Sequence, residues 1–596
     1  MNIDGSVYPY ASRREVVYSR RGMVCTSQHL AAQAGLDMLK HGGNAVDAAL
    51  ATAICLTVLE PTSNGLGSDA FALIWMDGKL HGINGSGWSP AALTRERLVS
   101  EGYKEMPLRG WYPVMVPGAP ATWAEVHRRF GKLPFNELFE PAISYAREGY
   151  VVMPNLAAML AYSADVFQAY RDNPLFQPLF DTFFPHGQAP MAGDILTLPD
   201  LANSLELLRD SHCQSLYEGE LAEAIIDWSV KTGGLLRAGD LSEYRPQWVD
   251  PIHTAYRGYD VWEIPPNGHG LVVLMALNIV KGFTFDKQRD DVESIHRQIE
   301  AMKLAFVDGK KYIADPRFMK TSVSDWLSES YAEGRRRAIR DQARMPEPID
   351  VNSGGTVYLC TADGDGNMVS FIQSNYNGFG SGIVIPGRGI ALNDRGHNFS
   401  MDKASDNCLG PRKKSYHTII PGFLTKDGKA VGPFGVMGAF MQPQGQLQVL
   451  LNTIDYHLNP QAALDAPRWQ WMGVRSLKSS RKCLKTSCTA CGCEAMMSSS
   501  KAISRPMAEG RSFGAVRPAF SWAERSLGPM VPWPPGKSVF FSSPLKYDRM
   551  EKTKGGTFPN ETDKTKTFPI RHSPDASPVF IWIVAGVIPR NIHQTR

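Results

Sequence analysis

Cysteine is scarce in this chain, with nine in 596 residues. Cys25, Cys55, Cys213, Cys360 and Cys408 are scattered, which excludes a small scaffold stapled by disulfides. Long apolar runs are missing too. No stretch approaches the roughly 20 residues of a membrane span. The opening residues Met1–Pro9 hold no apolar run of signal-peptide length, and the run Val579–Ile588 is too short to span. These absences lead to the expectation of a cytoplasmic protein with no membrane partner. Metal-ligand spacing is equally thin. His296 and Glu300 lie one helical turn apart, but no third ligand stands nearby, so a solvated or salt-bridged face is the preferred reading. No internal repeat is visible. What remains is ordinary for a globular chain, 43% hydrophobic and 20% charged, with length enough for a large core.

The pattern along the chain mixes helices with hairpins. Ser27 is placed to cap a helix from His29 to Lys40, ended by Gly42-Gly43. Asn44 caps a second helix, Ala45 to about Leu59, whose small apolar residues suit an interior. A Pro- and Gly-rich loop, Glu60–Gly67, precedes a strand from Ala70 to Met76. That strand turns at Asp77-Gly78 into a partner, Leu80–Asn84. Helices are predicted over Thr122–Arg129, Phe135–Arg147, Leu201–Leu208, Leu221–Val230, Leu271–Val280 and Ile295–Ile313, with a strand at Val261–Ile264. Residues 346–355 are polar with Pro and Gly and read as an exposed linker. Further strands are expected up to Asn393, around Thr418–Ile420 and at Gly422–Leu424. Helices follow at Gln444–Ile454 and Pro460–Ala466.

The stretch after that linker carries the chemistry. Gly355-Thr356-Val357-Tyr358-Leu359 opens a strand, an Asp/Gly/Asn turn follows at Asp363–Asn367, and Met368–Tyr376 returns. Thr356 has two readings. It is the first residue of a strand, or it is a nucleophile released by a cut between Gly355 and Thr356. In the second case its new α-amine, titrating near roughly 7.7–8.0, would be its own base. Local pattern does not choose between them.

The wider motif set does. Gly42–Ala49, Phe379–Val384, Gly389–Asn393, Pro421-Gly422 and Gly435–Ala439 follow in an order and spacing that resembles the γ-glutamyltransferase family of N-terminal nucleophile hydrolases. The likeness runs from about Gly22 to about Trp471 and is nearest the branch without a signal peptide. It implies an α+β fold, a four-layer αββα sandwich. It divides the chain into a large-subunit region, 1–355, and a small-subunit region, 356–472, cut from one precursor at Gly355–Thr356. It implies Thr356 as nucleophile, Ser374 as the hydroxyl beside it, and backbone N–H donors for an oxyanion at Gly438-Ala439. Tyr376, Arg395, Asn398, His417 and Thr418 match positions that hold the γ-glutamyl head group. Several differ from the family's usual residues, and Ser86 stands where a carboxylate-binding arginine is expected. Arg395 offers a replacement cation. No metal and no cofactor is implied. The expected partners are a γ-glutamyl or N-acyl amide substrate and the two subunits of one precursor. No nucleic acid is expected, and a homo-oligomer is compatible with the reading.

The resemblance stops near Met472. From Gly473 to Arg596 the chain holds 20 Lys+Arg and 8 Asp+Glu, against 43 and 51 before it. Cys483, Cys488, Cys491 and Cys493 crowd together and offer metal ligands, but their spacing as a set matches no established zinc pattern and no His lies among them. This aberrant basic tail, 473–596, reads as out-of-frame translation and is expected to be poorly ordered. A basic nucleic-acid tether is disfavoured because no recognisable binding module accompanies the charge. Three functions follow: a γ-glutamyl hydrolase or transferase acting on glutathione or its like, an N-acyl amidohydrolase of the cephalosporin- or glutaryl-acylase type, or an inactive relative crippled by its tail.

Overall fold

The computed structural model describes residues 15–285, 288–346 and 355–473, together with four short strands at 477–479, 531–532, 580–583 and 586–589. Strand β1 (Gly22–Thr26) leads into helices α1 (His29–Lys40) and α2 (Ala45–Leu59). A hairpin of β2 (Asp69–Met76) and β3 (Lys79–Gly85) follows, then helices α3 (Ala119–Phe130) and α4 (Glu140–Glu148). Strands β4 (Gln247–Val249), β5 (Ile252–Tyr256) and β6 (Tyr259–Glu263) precede helices α5 (Gly270–Val280) and α6 (Val292–Tyr312). The last third supplies β7 (Gly355–Asp363), β8 (Met368–Tyr376), β9 (Gly422–Lys426), β10 (Lys429–Phe434) and helix α7 (Met441–Ile454).

Two antiparallel sheets stack between helices. The larger has the order β1-β7-β8-β2-β3-β4, with Val531–Pro532 beside β1, and the smaller has the order β10-β9-β6-β5. The two-residue period of a strand assigns the layers. Val357, Leu359, Val369 and Phe371 turn one face of the large sheet to α1, α2 and α4. Tyr358, Cys360, Met368 and Ile372 turn the other face to Val261, Phe423 and Phe434 of the small sheet, beyond which lie α5, α6 and α7. The result is the helix–sheet–sheet–helix stack implied by the resemblance.

Local chemistry accounts for the element ends. The Asn44 side chain accepts from the N–H groups of Val46 and Asp47, and the Asp47 carboxylate accepts from the Asn44 N–H, closing a capping box on α2. The β7–β8 turn also reaches this helix, since Asp363 Oδ2 accepts from Ala45 N at 3.1 Å. Three expectations need correction. Gln28, not Ser27, caps α1, because the Ser27 hydroxyl donates to Glu60 instead. The helix predicted over 135–147 is a 3₁₀ turn, Phe135–Leu138, followed by α4, whose second residue is Pro141. Residues 418–420 are not a strand. Their backbone is held by side chains, as where Ile420 N donates to Gln442 Oε1 at 3.0 Å.

His296 Nε2 bonds the Arg340 carbonyl, and Glu300 pairs with Lys303. Among the described residues no group of three or more His, Cys, Asp or Glu side chains could hold a metal ion. No described helix is long and apolar enough to cross a membrane. Cys483, Cys488, Cys491 and Cys493, and most of 473–596, lie outside the described residues.

Candidate active site

Thr356 is the second residue of β7, and the ladder is irregular there. Gly355 pairs with Tyr376 and Val357 with Gln373, so Ser374 and Asn375 together oppose Thr356. This bulge re-aims side chains at the sheet's end. The Gly355 carbonyl oxygen accepts from two hydroxyls, Thr356 Oγ1 at 2.7 Å and Ser374 Oγ at 2.7 Å. Ser374 Oγ accepts in turn from Tyr376 N at 2.7 Å. Tyr376 sits at φ 81°, left-handed and costly for a bulky side chain.

The next strand adds a carboxylate. Ser374 on β8 pairs with Asp69 on β2. Asp69 is fully buried. Its Oδ1 accepts from Gly87 N at 3.2 Å, and its Oδ2 accepts from Arg395 Nε at 3.3 Å and His417 Nε2 at 2.9 Å. Arg395 Nη1 donates to Thr418 Oγ1 at 2.7 Å, and its guanidinium lies 4.8 Å from the Tyr376 ring centroid. Arg395 Nη2 is buried and has no hydrogen-bond partner among the described residues. Burial, assisted by Arg395, pushes the His417 imidazole down to about 4 against the pull of Asp69. His417 Nδ1 accepts from Ile419 N, which leaves Nε2 as the protonated nitrogen facing Asp69.

Helix α7 closes the other side. Gly438 and Ala439, at φ 114° and 49°, form the left-handed turn before it. Gln442 in its first turn donates from Nε2 to Thr356 Oγ1 at 3.5 Å. Met437 Sδ accepts from Tyr358 N at 3.1 Å, which ties this turn to β7.

The structure thus brings together Thr356, Ser374, Tyr376, Arg395, His417 and Thr418, with Gly438-Ala439 in the adjoining turn. It does not bring Asn398 into the hydrogen-bonded cluster, since that residue's carbonyl accepts from Asn407 and its Nδ2 has no partner among the described residues. Ser86 is buried and bonds Asn84 Oδ1 at 2.7 Å, one residue from the Gly87 N–H on Asp69. Asp69 and Gln442 were not anticipated from sequence. Asp69 had a readable signal, because a carboxylate abutting the apolar run Ala70–Met76 must find a partner once buried. Gln442 had none, since its role depends on where α7 begins.

The sequence profile described as gamma-glutamyltranspeptidase matches residues 31–487. The chain belongs to the γ-glutamyltranspeptidase family. It is an enzyme of that type. The match passes Met472, so the likeness extends further than the motifs alone indicate. A glutathione hydrolase-like proenzyme of Bacillus subtilis (strain 168) is 35% identical over 469 residues, covering 76% of this chain and 86% of the relative. An acylase proenzyme of Pseudomonas sp. (strain SE83) is 32% identical over 488 residues, covering 79% and 86%. Among solved structures, a cephalosporin acylase from Bacillus halodurans superposes with a TM-score of 0.79 at 56% identity, covering 83% of this chain and 91% of that one.

Proposed function

We propose that the chain is a proenzyme that cuts itself before Thr356 and then hydrolyses or transfers the acyl group of small amides. The Gly355 carbonyl, which accepts from both the Thr356 and the Ser374 hydroxyl, carries this reading. Thr356 Oγ attacks the Gly355 carbonyl carbon, the C–N bond to Thr356 breaks, and the proton moves to the departing nitrogen. Water then cleaves the resulting ester, leaving a Gly355 carboxylate and a free Thr356 amine. In the mature enzyme that amine takes the hydroxyl proton while Oγ attacks the substrate amide. An acyl-enzyme forms, the amine product leaves, and water or an amino acid accepts the acyl group. Ser374 Oγ and the backbone at Gly438-Ala439 are the donors we assign to the developing oxyanion.

For the acyl group we favour γ-glutamyl, as in glutathione. Asp69 and Arg395 stand side by side next to the nucleophile, and an α-amino acid head needs one charge of each sign. Asp69 thereby offers the anion that Asn398 lacks. The second reading is an N-acyl amidohydrolase of the cephalosporin- or glutaryl-acylase type, favoured by the 56% identity to the Bacillus halodurans enzyme. A cytoplasmic location fits the free thiols of the five described cysteines. The test is intact mass and N-terminal sequencing after incubation, then turnover of γ-glutamyl anilide against glutaryl anilide. A fragment beginning Thr356-Val357-Tyr358 and faster γ-glutamyl turnover are expected. A permanently uncut, inert chain would sink the proposal, and preference for the glutaryl substrate would replace the acyl assignment with the second reading.

A further inference from the structure

A cavity of about 720 Å³ opens beside β3, bounded by the 265–267 turn and by residues 315–323. Lys414 is the unusual member of its wall. Its side chain is buried, and among the described residues Nζ donates only to neutral amides, Gln247 Oε1 at 2.9 Å and Asn84 Oδ1 at 3.5 Å. The two carboxylates nearest in field are already engaged. Asp315 pairs with Arg317 and accepts from the Lys414 N–H, while Asp69 is held by Arg395 and His417. Among the described residues no carboxylate closes on the ammonium itself. Arg317 and Lys320 also line the cavity, each tied to a carboxylate, so its wall carries three cations and one carboxylate, Asp315. A desolvated ammonium facing a void is unfavourable without a counter-charge. Burial accordingly lowers Lys414 to about 8.

We propose that this cavity binds a small organic carboxylate, with Lys414 taking the anion, the Gln247 and Asn84 amides orienting it, and Trp88 flanking its carbon chain. The assignment goes beyond the catalytic reading, and the binding test of the site itself does not depend on turnover. The cavity nevertheless lies close to the catalytic cluster. Lys414 Nζ and Ser86 Oγ donate to the same Asn84 oxygen, and the Gly87 N–H holds Asp69. The carboxylate could therefore be the far end of a bound acyl chain or a separate organic acid.

Calorimetric titration of the full-length protein with glutarate decides the matter. Saturable binding is expected in the wild type, with affinity at least tenfold weaker in Lys414→Met. An anion that restores the ammonium charge draws a proton from solvent, so at pH 8 the wild-type heat should vary with buffer ionisation enthalpy. No binding to the wild type, or equal affinity in Lys414→Met, would overturn the site. Should that variant fail to fold, trace acetylation of the wild type at pH 8 replaces it. Glutarate should protect the Lys414 peptide at least severalfold, and equal labelling with and without glutarate would overturn the proposal. Inhibition assays separate the two sources. Glutarate that raises only KM for glutaryl anilide marks the acyl chain's own carboxylate, and binding that leaves KM unchanged marks a separate acid.

Discussion

Ser374 Oγ accepts from the Tyr376 N–H, so its own proton is free to point at the Gly355 carbonyl. A donor aimed at a carbonyl that must become an oxyanion acts most strongly in a dry site, and Thr356 is only 5% exposed. Ser374→Ala should therefore slow self-cleavage by about 10²–10³-fold, as for loss of one oxyanion donor. A denaturing gel time course of the freshly purified precursor would show it, with Ser374→Thr recovering most of the rate. Cleavage of the alanine variant at the wild-type rate would remove Ser374 from the self-processing step. His417 gives a prediction of a different kind. The folded chain keeps its imidazole neutral down to about 4, whereas an unfolded histidine takes its proton near roughly 6.5. Between those values the unfolded state binds more protons, so stability falls as pH drops through the window and this contribution levels off below it. The total loss is about 3 kcal/mol. Melting temperatures measured from pH 7 to pH 4 should fall less steeply in His417→Asn, and parallel slopes would remove His417 as the cause. Thr356 and Ser374 could be singled out in the sequence because hydroxyls at those places belong to a long ordered motif, and the structure brings the two side chains together. Asp69 was legible only as a carboxylate that needs a partner once buried, because nothing local says that its strand will lie beside Ser374.

At the scale of elements, the sequence was most informative where one rule acts alone. The Asp77-Gly78 turn needs left-handed backbone at both residues and has it, at φ 52° and 76°, so the β2–β3 hairpin stands where it was expected. Asn44 likewise begins α2 as predicted. The reading failed where tertiary contacts override local pattern. Thr418–Ile420 is β-branched and reads as a strand, yet His417 and Thr418 are turned to Asp69 and Arg395. Helix Pro154–Phe167 was not singled out within a region read as mostly helical, because Ala157, Ala158, Ala161 and Ala164 surround the buried Leu156, Leu160 and Phe167 with further apolar residues and blur the period. Two residues past the end of β3, Gly87 meets the sharpest steric demand among the described glycines. A Cβ on Gly87 would lie 1.7 Å from the Val116 carbonyl oxygen, so an added methyl must push β3 away from the segment that precedes α3. The Gly87 N–H on Asp69 would move with it. Gly87→Ala should lower stability by about 1–3 kcal/mol and reduce turnover. Gly428→Ala, at φ 71° with open space around it, serves as a control for backbone strain alone, near 1 kcal/mol. If thermal unfolding gave the two variants the same midpoint, the contact at Gly87 would carry no special weight.

At the scale of the molecule, the proposed cut falls between strands that are interleaved in space. Reading across the large sheet, β1 comes from before the cut, β7 and β8 from after it, and β2, β3 and β4 from before it again. The small sheet repeats the arrangement, with β10 and β9 from one side of the cut and β6 and β5 from the other. Hydrogen-bonded ladders join the two parts at β1–β7, β8–β2 and β9–β6. Both faces of β7 are buried, with Val357 in one core and Tyr358 in the other. Separating the fragments would expose strand edges on both sheets together with both hydrophobic cores. Cleavage at Gly355–Thr356 should therefore leave one particle in solution. Gel filtration with light scattering should give the same native mass before and after processing, with two bands appearing only under denaturing conditions. Unfolding of the cut protein should also become concentration-dependent, since two chains must meet to refold. Fragments that part at neutral pH without denaturant would show that the interleaved sheets do not hold the mature enzyme together.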